Sequence, residues 1–254
     1  MIRVAVSGAA GRMGRLAMKT VAEAEGVELV GGYDPGHAGE TIAGIRVSAD
    51  RAAAASTAQV VVEFTAPGVV VDNLAGWHGL GVSAVVGTSG FDRAKVDLVR
   101  SFWTDGPSRC LLVPNFSIAA VLMMRFAELA APHFSASEII EMHHDRKADA
   151  PSGTALTTAE MIAAAGGRQD RAVESEELVP GARGADTGAR IHSVRLPGLL
   201  ARQDVIFGTP GETLTIRHDT LDRESFMPGV LLAIRGVQSL PDPVTVGLES
   251  LLGI

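Results

Sequence analysis

IRVAVSGAAGRMG, residues 2–14, is the stretch on which the fold turns. Ile2 to Ser7 reads as a short strand. Gly8 to Gly14 has the form G-x-x-G-x-x-G, and RMGRLAMKTVAEAEG, residues 12–26, carries a helical pattern that Gly26 ends. A strand that runs through a glycine-rich turn into a helix opens a dinucleotide-binding βαβ unit. Small residues let the backbone approach a pyrophosphate, and the helix N-terminus favours its charge. The spacing departs from the common G-x-G-x-x-G, so context carries the reading. VELVGGYD, residues 27–34, is a second strand, and Asp34 closes it about twenty positions beyond the loop, where an acid accepts hydrogen bonds from an adenosine ribose. Gly8, Ala9, Ala10, Gly11, Arg12 and Met13 are therefore the candidate phosphate loop, with Arg12 able to contact phosphate or adenine. A glycine-rich turn in an α/β domain without a nucleotide is the competing reading.

Outward from this stretch the alternation continues. AQVVVEFTAP, VSAVVGTSG and RCLLVPNF read as strands, separated by the helical patterns VVVDNLAGWHGLG and DRAKVDLVRSFW. Strands this uniformly apolar, divided by helices, indicate a parallel sheet covered on both faces. Ligands bind such sheets at the strand C-terminal ends, which places Gly87-Thr88-Ser89 and Val113-Pro114-Asn115-Phe116 with the glycine loop around one crevice. Beyond residue 115 the pattern changes. SIAAVLMMRFAELAA is helical, SEIIEMHH a strand, PSGTALTTAEMIAAAGG a helix, and IHSVRLPG and RQDVIFGTPGETLTIRHD read as antiparallel strands, with GTPGE a hairpin turn. His218-Asp219 reads as an edge-strand pair, and GARGADTGAR, residues 181–190, as a flexible, solvated connection. SFMPGVLLAIRGVQSL is helical again and returns to the first domain. The expected architecture is α/β: a Rossmann-like, doubly wound parallel sheet formed by residues 1–115 and 225–254. An α+β substrate-binding and oligomerisation domain with a mixed open sheet spans 116–224.

Composition excludes several classes. The net charge of −7 argues against a nucleic-acid binder, which carries a basic face, and the aromatic fraction of 4% is too low for a base-stacking platform. The single cysteine, Cys110, rules out an internal disulfide and a multi-cysteine metal site; in RCLLV it reads as a small core hydrophobe. No run reaches the ~18–20 apolar residues of a membrane span, and the chain enters a strand at once with no signal-peptide pattern. A reduced, intracellular, cytoplasmic protein is expected, with no membrane and no nucleic acid among its partners.

One segment gathers chemistry that the first domain does not need. EMHHDRKADAPSGTA, residues 141–155, sets two histidines and a lysine ahead of a helix start. Together with GAAGRMG, VEFTAP, VGTSGF and VPNFSIAAVLMM it resembles the dihydrodipicolinate reductases, now called 4-hydroxy-tetrahydrodipicolinate reductases, of diaminopimelate and lysine biosynthesis. The resemblance covers nearly the whole chain. HSVRLPGLLARQDVIFGTPGETLTIRHD and SFMPGVLLAIR look like the shorter, actinobacterial-type members. It implies NADH- or NADPH-dependent reduction of a small cyclic dicarboxylate imine. His143 falls on the family's acid/base, His144 on a substrate contact, Lys147 on the catalytic lysine, and Gly153 and Thr154 on the substrate-carboxylate site. It also implies a homotetramer joined through the C-terminal domains.

The residue types suit that chemistry. Pro151 fits a first helical turn, where its missing N–H is not needed. Ser152, Gly153 and Thr154 then offer N–H groups and a hydroxyl to a carboxylate. Lys147 adds a positive charge, and histidine titrates near neutrality, so His143 is a natural proton donor. A zinc site is disfavoured, because adjacent histidines on a strand face opposite ways and no cysteine is near; no metal is expected. Two other functions stay open. A different imine or amino-acid oxidoreductase would have no use for the Lys147, Gly153 and Thr154 clamp. A non-catalytic dinucleotide sensor would have none for His143 and Lys147.

Overall fold

The computed structural model describes residues 1–104, 106–170 and 176–254. Its chain divides into two compact units, Met1–Ile118 with Phe226–Ile254, and Ala119–Ser225.

The first unit is built on six parallel strands. β1 (Ile2–Ser7), β2 (Val27–Tyr33), β5 (Val60–Glu63), β6 (Ser83–Val86), β7 (Cys110–Leu112) and β13 (Val244–Val246) lie in the order β13-β7-β6-β5-β1-β2. A small antiparallel hairpin, β3 (Thr41–Ile42) and β4 (Ile45–Arg46), follows β2. The helices are α1 (Arg12–Glu23), the single-turn α2 (Arg51–Ala54), α3 (Val70–Gly79), α4 (Arg93–Phe102), α7 (Met227–Gly236) and the short α8 (Glu249–Leu252). Every residue of β5, β6 and β7 is buried, as a sheet covered on both faces requires. Two apolar clusters form this core. One gathers Val4, Val6, Met18, Val62, Leu111 and Ile234; the other gathers Val61, Leu74, Trp77, Val86, Trp103 and Cys110. Cys110 is a core residue, and burial pushes its thiol pKa up. The C-terminal segment is secured to this unit by β13 pairing with β7, by Cys110 N–H donating to Pro243 O (2.8 Å), and by Arg109 Nε donating to Leu240 O (3.0 Å). The sixth strand, only VTV flanked by prolines and glycine, was not expected from the sequence.

The second unit takes in α5 (Ile118–Ala130) from its second residue and continues with β8 (Ala136–His143), α6 (Gly153–Ala164), β9 (Ala185–Thr187), β10 (Ala189–Arg195), β11 (Ala201–Thr209) and β12 (Glu212–Thr220). The sheet order is β12-β11-β8-β10-β9. β11 pairs antiparallel with both β12 and β8, and Pro210-Gly211 forms the tight turn between β11 and β12. β10, in contrast, runs parallel to β8 and antiparallel only to β9, so the sheet is mixed, as expected, although IHSVRLPG read as an antiparallel strand. The segment 181–190 is a solvated turn only in part. Ala185–Thr187 forms edge strand β9, Arg190 is buried, and Arg183 pairs with Glu138. Local composition suggested a loop, and non-local strand pairing overrides it. Helix α6 packs on β8, β9 and β10, burying Ala155, Ala159 and Ile162 with Ile139 and Ile191. Along β8 the burial alternates, with Ser137, Ile139 and Glu141 inward. That alternation places a carboxylate beneath a histidine two residues on.

Candidate active site

In the first unit the glycine loop joins β1 to α1. Gly8 has φ +74°, and a Cβ there would stand 2.5 Å from Phe64 O. Gly14 is closer still: a Cβ would meet Gly8 O at 1.9 Å. Gly11 caps α1 and supplies no side-chain acceptor, which leaves the first-turn amides to an anion. A cleft of about 420 Å³ opens beside this loop, lined by Gly8, Gly11, Tyr33, Asp34, Thr65 and Asn73 among others. Asp34 accepts from Ala10 N (3.1 Å, Oδ2), from Gly36 N (3.2 Å, Oδ1) and meets His37 Nδ1 (3.1 Å). A carboxylate offers about four lone-pair sites, so Asp34 can brace the loop and still accept from a ribose hydroxyl. The cradle that a Cβ would fill, the uncapped helix end and the acid at the rim all fit a dinucleotide.

The other predicted cofactor residues divide. Ala9 is fully buried, Ala10 and Met13 pack against the core, and Arg12 is exposed at the first position of α1. Gly87, Thr88, Ser89, Val113 and Pro114 line a second cleft of about 190 Å³ rather than the first. Phe64 stands between the two: it lines the first, and a Cβ at Gly87 would come within 2.2 Å of its ring. Phe116 is buried edge-on to Phe64, with ring centres 5.7 Å apart, and Asn115 Oδ1 accepts from Ser117 N (2.9 Å). Sequence reasoning missed Arg51, which also lines the larger cleft. Its guanidinium donates to Asp72 Oδ2 (2.9 Å) and Asp72 O (3.1 Å) and lies 5.8 and 5.7 Å from the ring centres of Tyr33 and Trp77.

In the second unit the predicted residues gather around the end of β8. His143 is its last residue, and Nδ1 lies 2.6 Å from Glu141 Oε2. Glu141 has no exposed surface. Arg195, paired in register with His143, closes on it with Nη1–Oε2 3.0 Å and Nη2–Oε1 2.8 Å. Burial alone would raise the Glu141 carboxyl pKa. Hydrogen bonds from His143, Arg195 and Ser193 outweigh it and hold the pKa at about 2. The group is therefore an acceptor only. His143 must donate from Nδ1, which leaves Nε2 as its reactive nitrogen.

Lys147 rests on Asp149, with Nζ 2.7 and 2.8 Å from its two oxygens, and this contact lowers the Asp149 pKa. Asp149 is largely exposed, so the pair is weak and another anion could displace it at little cost. Helix α6 starts at Gly153, two residues later than Pro151 suggested. Ser152 is the N-cap and is buried, and its Oγ accepts from Ala155 N (3.2 Å), so this hydroxyl serves the helix rather than a ligand. Gly153 is exposed, with nothing within 4 Å of a Cβ placed there. Thr154 O accepts from Thr158 Oγ1 (2.7 Å), which in turn accepts from Gln203 Nε2 (2.8 Å), tying the helix start to β11. His144 lies just past β8, with its Nδ1 buried. His218 and Asp219 lie on edge strand β12, where Asp219 pairs with Arg217 (2.7 Å).

The depressed Glu141 pKa predicts a stability effect with a definite sign. A carboxyl whose folded pKa lies below its unfolded value stabilises above the unfolded value, and that contribution is lost as pH falls through the folded one. Stability should fall between about 4.5 and about 2. Glu141→Gln should flatten this part of the acid-unfolding curve; an unchanged slope would remove the effect.

The chain matches the family model "Dihydrodipicolinate reductase, N-terminus" over residues 2–116 and "Dihydrodipicolinate reductase, C-terminus" over residues 119–252. It is 52% identical, over all of both chains, to the 4-hydroxy-tetrahydrodipicolinate reductase of Thermobifida fusca (strain YX). It is 49% identical, again over all of both, to that of Cutibacterium acnes. Its structure resembles a dipicolinate-bound dihydrodipicolinate reductase from Paenisporosarcina sp. TG-14, with a TM-score of 0.86 and 40% identity. That match covers 98% of this chain and 99% of the other. From both halves and over its full length, the chain belongs to the dihydrodipicolinate reductase family.

Proposed function

We propose that this chain reduces 4-hydroxy-tetrahydrodipicolinate to tetrahydrodipicolinate with a pyridine nucleotide, a step of diaminopimelate and lysine biosynthesis. The observation that carries the reading is His143 on the buried Glu141–Arg195 pair, in one segment with Lys147 and the start of α6. Over the reaction a hydride and a proton are taken up and the 4-hydroxyl leaves as water. The bound nucleotide supplies the hydride. His143 supplies the proton from Nε2, since Nδ1 is committed to Glu141. Lys147 exchanges Asp149 for a substrate carboxylate, and His144 adds a polar contact. The second carboxylate sits at Gly153 and Thr154, where first-turn amides and the helix dipole favour an anion. The enzyme works in the cytoplasm as a homotetramer, a state that sedimentation of the purified protein checks.

The placement of the carboxylates has a direct test. Pyridine-2,6-dicarboxylate presents two anions without a reducible imine, and the Paenisporosarcina relative is described as dipicolinate-bound. It should compete with substrate and not with NADH. Gly153→Val fills space that the fold leaves open, so it should spare stability and weaken the inhibitor at least ~10-fold, about 1.4 kcal/mol. Competition with NADH, indifferent to Gly153→Val, would move the site elsewhere.

Cofactor choice follows from Asp34 and its neighbours. An acid at this strand end bonds a free ribose hydroxyl and repels the 2′-phosphate of NADPH. Pro35, the next residue, brings no charge, His37 already contacts Asp34, and the terminal nitrogens of Arg51 are engaged by Asp72. Arg12 is the opposing cation, exposed at the loop. NADH should be used at least as well as NADPH, by about 3–30-fold, since one screened repulsion is worth about 1–2 kcal/mol. Salt should shrink the gap, and Pro35→Arg should narrow or reverse it. A clear wild-type preference for NADPH in kcat/KM would show that Arg12 outweighs Asp34.

A further inference from the structure

Arg195 makes more contacts than an ion pair requires. Besides its two bonds to Glu141, it donates from Nη2 to Asp149 O (2.6 Å), from Nε to Lys147 O (3.3 Å) and from Nη1 to Val194 O (2.8 Å). Its side chain is 19% exposed and that of Glu141 0%. One planar guanidinium thus bonds the carboxylate that holds His143 and two carbonyls of the loop that carries Lys147. Leu196 N also donates to His143 O (3.0 Å), so the backbone after Arg195 is tied to the same strand end. A buried ion pair is a poor source of stability, because desolvation offsets most of its attraction. Here its geometry serves orientation. The five donors of an arginine form a fixed fork, which suits one side chain to several acceptors at once.

We infer that Arg195 and Glu141 are positioning residues that join the proton donor and the Lys147 loop into one rigid piece. Glu141 fixes His143 with its proton on Nδ1 and Nε2 bare when the ring is neutral. Arg195 sets the orientation of Glu141 and, through the carbonyls of Lys147 and Asp149, holds the loop on the side of His143. Neither residue touches the reacting atoms in this account. The two halves separate in kinetics. Glu141→Gln loses the charge that selects the tautomer and leaves the loop carbonyls with Arg195, so it lowers kcat. Arg195→Lys keeps a cation for Glu141 but cannot span both carbonyls, so it raises KM for the cyclic substrate.

The inference rests on the assignment of His143 as the proton donor, yet part of its test needs no substrate. Ring-nitrogen NMR of histidine-labelled protein, with the His143 signal identified by its loss in His143→Gln, reads the tautomer directly. Wild-type His143 is expected to carry its neutral-form proton on Nδ1. Glu141→Gln should lower kcat about 10–100-fold with KM within about twofold, and Arg195→Lys should raise substrate KM by about 10-fold or more, the range of hydrogen bonds to charged groups. NADH affinity, measured by calorimetric titration, should be unchanged in both. A wild-type proton on Nε2 overturns the inference even where a variant fails to fold, and so does Arg195→Lys with wild-type kcat and KM. An inactive wild type would sink the assignment of the donor while leaving the tautomer result standing.

Discussion

Lys147→Met and His143→Gln are each expected to lower turnover at least ~100-fold, the low end for acid–base groups, with NADH affinity nearly unchanged. Met keeps the bulk of the lysine stem and removes the charge that faces a dianion. Gln keeps a polar side chain that can still meet Glu141, but it has no proton to give from the position of Nε2. The structure sharpens the expectation for Lys147. Its ammonium is held by Asp149 at 2.7 Å, so Lys147→Met leaves Asp149 without its partner close to the proposed substrate carboxylate. Asp149→Asn in the Lys147→Met background should therefore restore part of the lost affinity for substrate. Steady-state rates with parallel NADH titrations check all three variants. Near-wild-type turnover in either single variant would remove that residue from the chemistry.

Gly14→Ala is expected to disable the nucleotide crevice. Alanine favours a helix over glycine by up to ~1 kcal/mol, so propensity alone predicts a gain. Packing decides otherwise. The added Cβ would lie 1.9 Å from Gly8 O and 2.8 Å from Gly8 C, both backbone atoms that no rotamer change can move. Either α1 shifts away from the loop or the loop itself moves, at a cost of about 1–3 kcal/mol or more. Either movement displaces the amides that would meet a pyrophosphate. NADH affinity should drop at least ~10-fold, about 1.4 kcal/mol, together with a lower Tm. Gly79→Ala is the control. It lies at the end of α3 with nothing within 4 Å of the new Cβ, and it should leave stability and affinity unharmed. Calorimetric titration of NADH into Gly14→Ala and Gly79→Ala separates the two; equal affinities would mean that the loop tolerates what its backbone contacts forbid.

The first unit was legible in the sequence because its signals are local. Each of β1, β5, β6 and β7 is a short apolar run followed by a turn and a helical pattern, and full burial of β5 to β7 is what such runs imply. The acid at the end of β2 could be placed by counting from the glycine loop. What the sequence hid depends on distant partners. Glu141 looked like one more polar residue on a strand, and only Arg195, 54 positions away, reveals it as the anchor of His143. Alternation along EMHH did hold the clue, since Glu141 and His143 share a strand face. Arg51 belongs to no motif and reaches the larger cleft from a single-turn helix. Within the run 181–190, which has a loop's composition, Ala185–Thr187 becomes a strand because β10 is beside it. α6 starts two residues later than the helix read from Pro151, because Ser152 is the N-cap and Gly153 the first helical residue.

Reduction of a cyclic dicarboxylate is proposed to run through His143 and Lys147. The most direct measurement follows NADH loss by absorbance while the substrate is made in the same cuvette from pyruvate and aspartate semialdehyde by a condensing enzyme. NADH should be consumed only when both precursors, the condensing enzyme and this chain are present. Addition of pyridine-2,6-dicarboxylate should stop the loss, and His143→Gln or Lys147→Met should slow it at least ~100-fold. NADH and NADPH that stay intact in the complete mixture, with protein that still binds NADH, would rule out this reaction and leave a dinucleotide-binding protein without this activity.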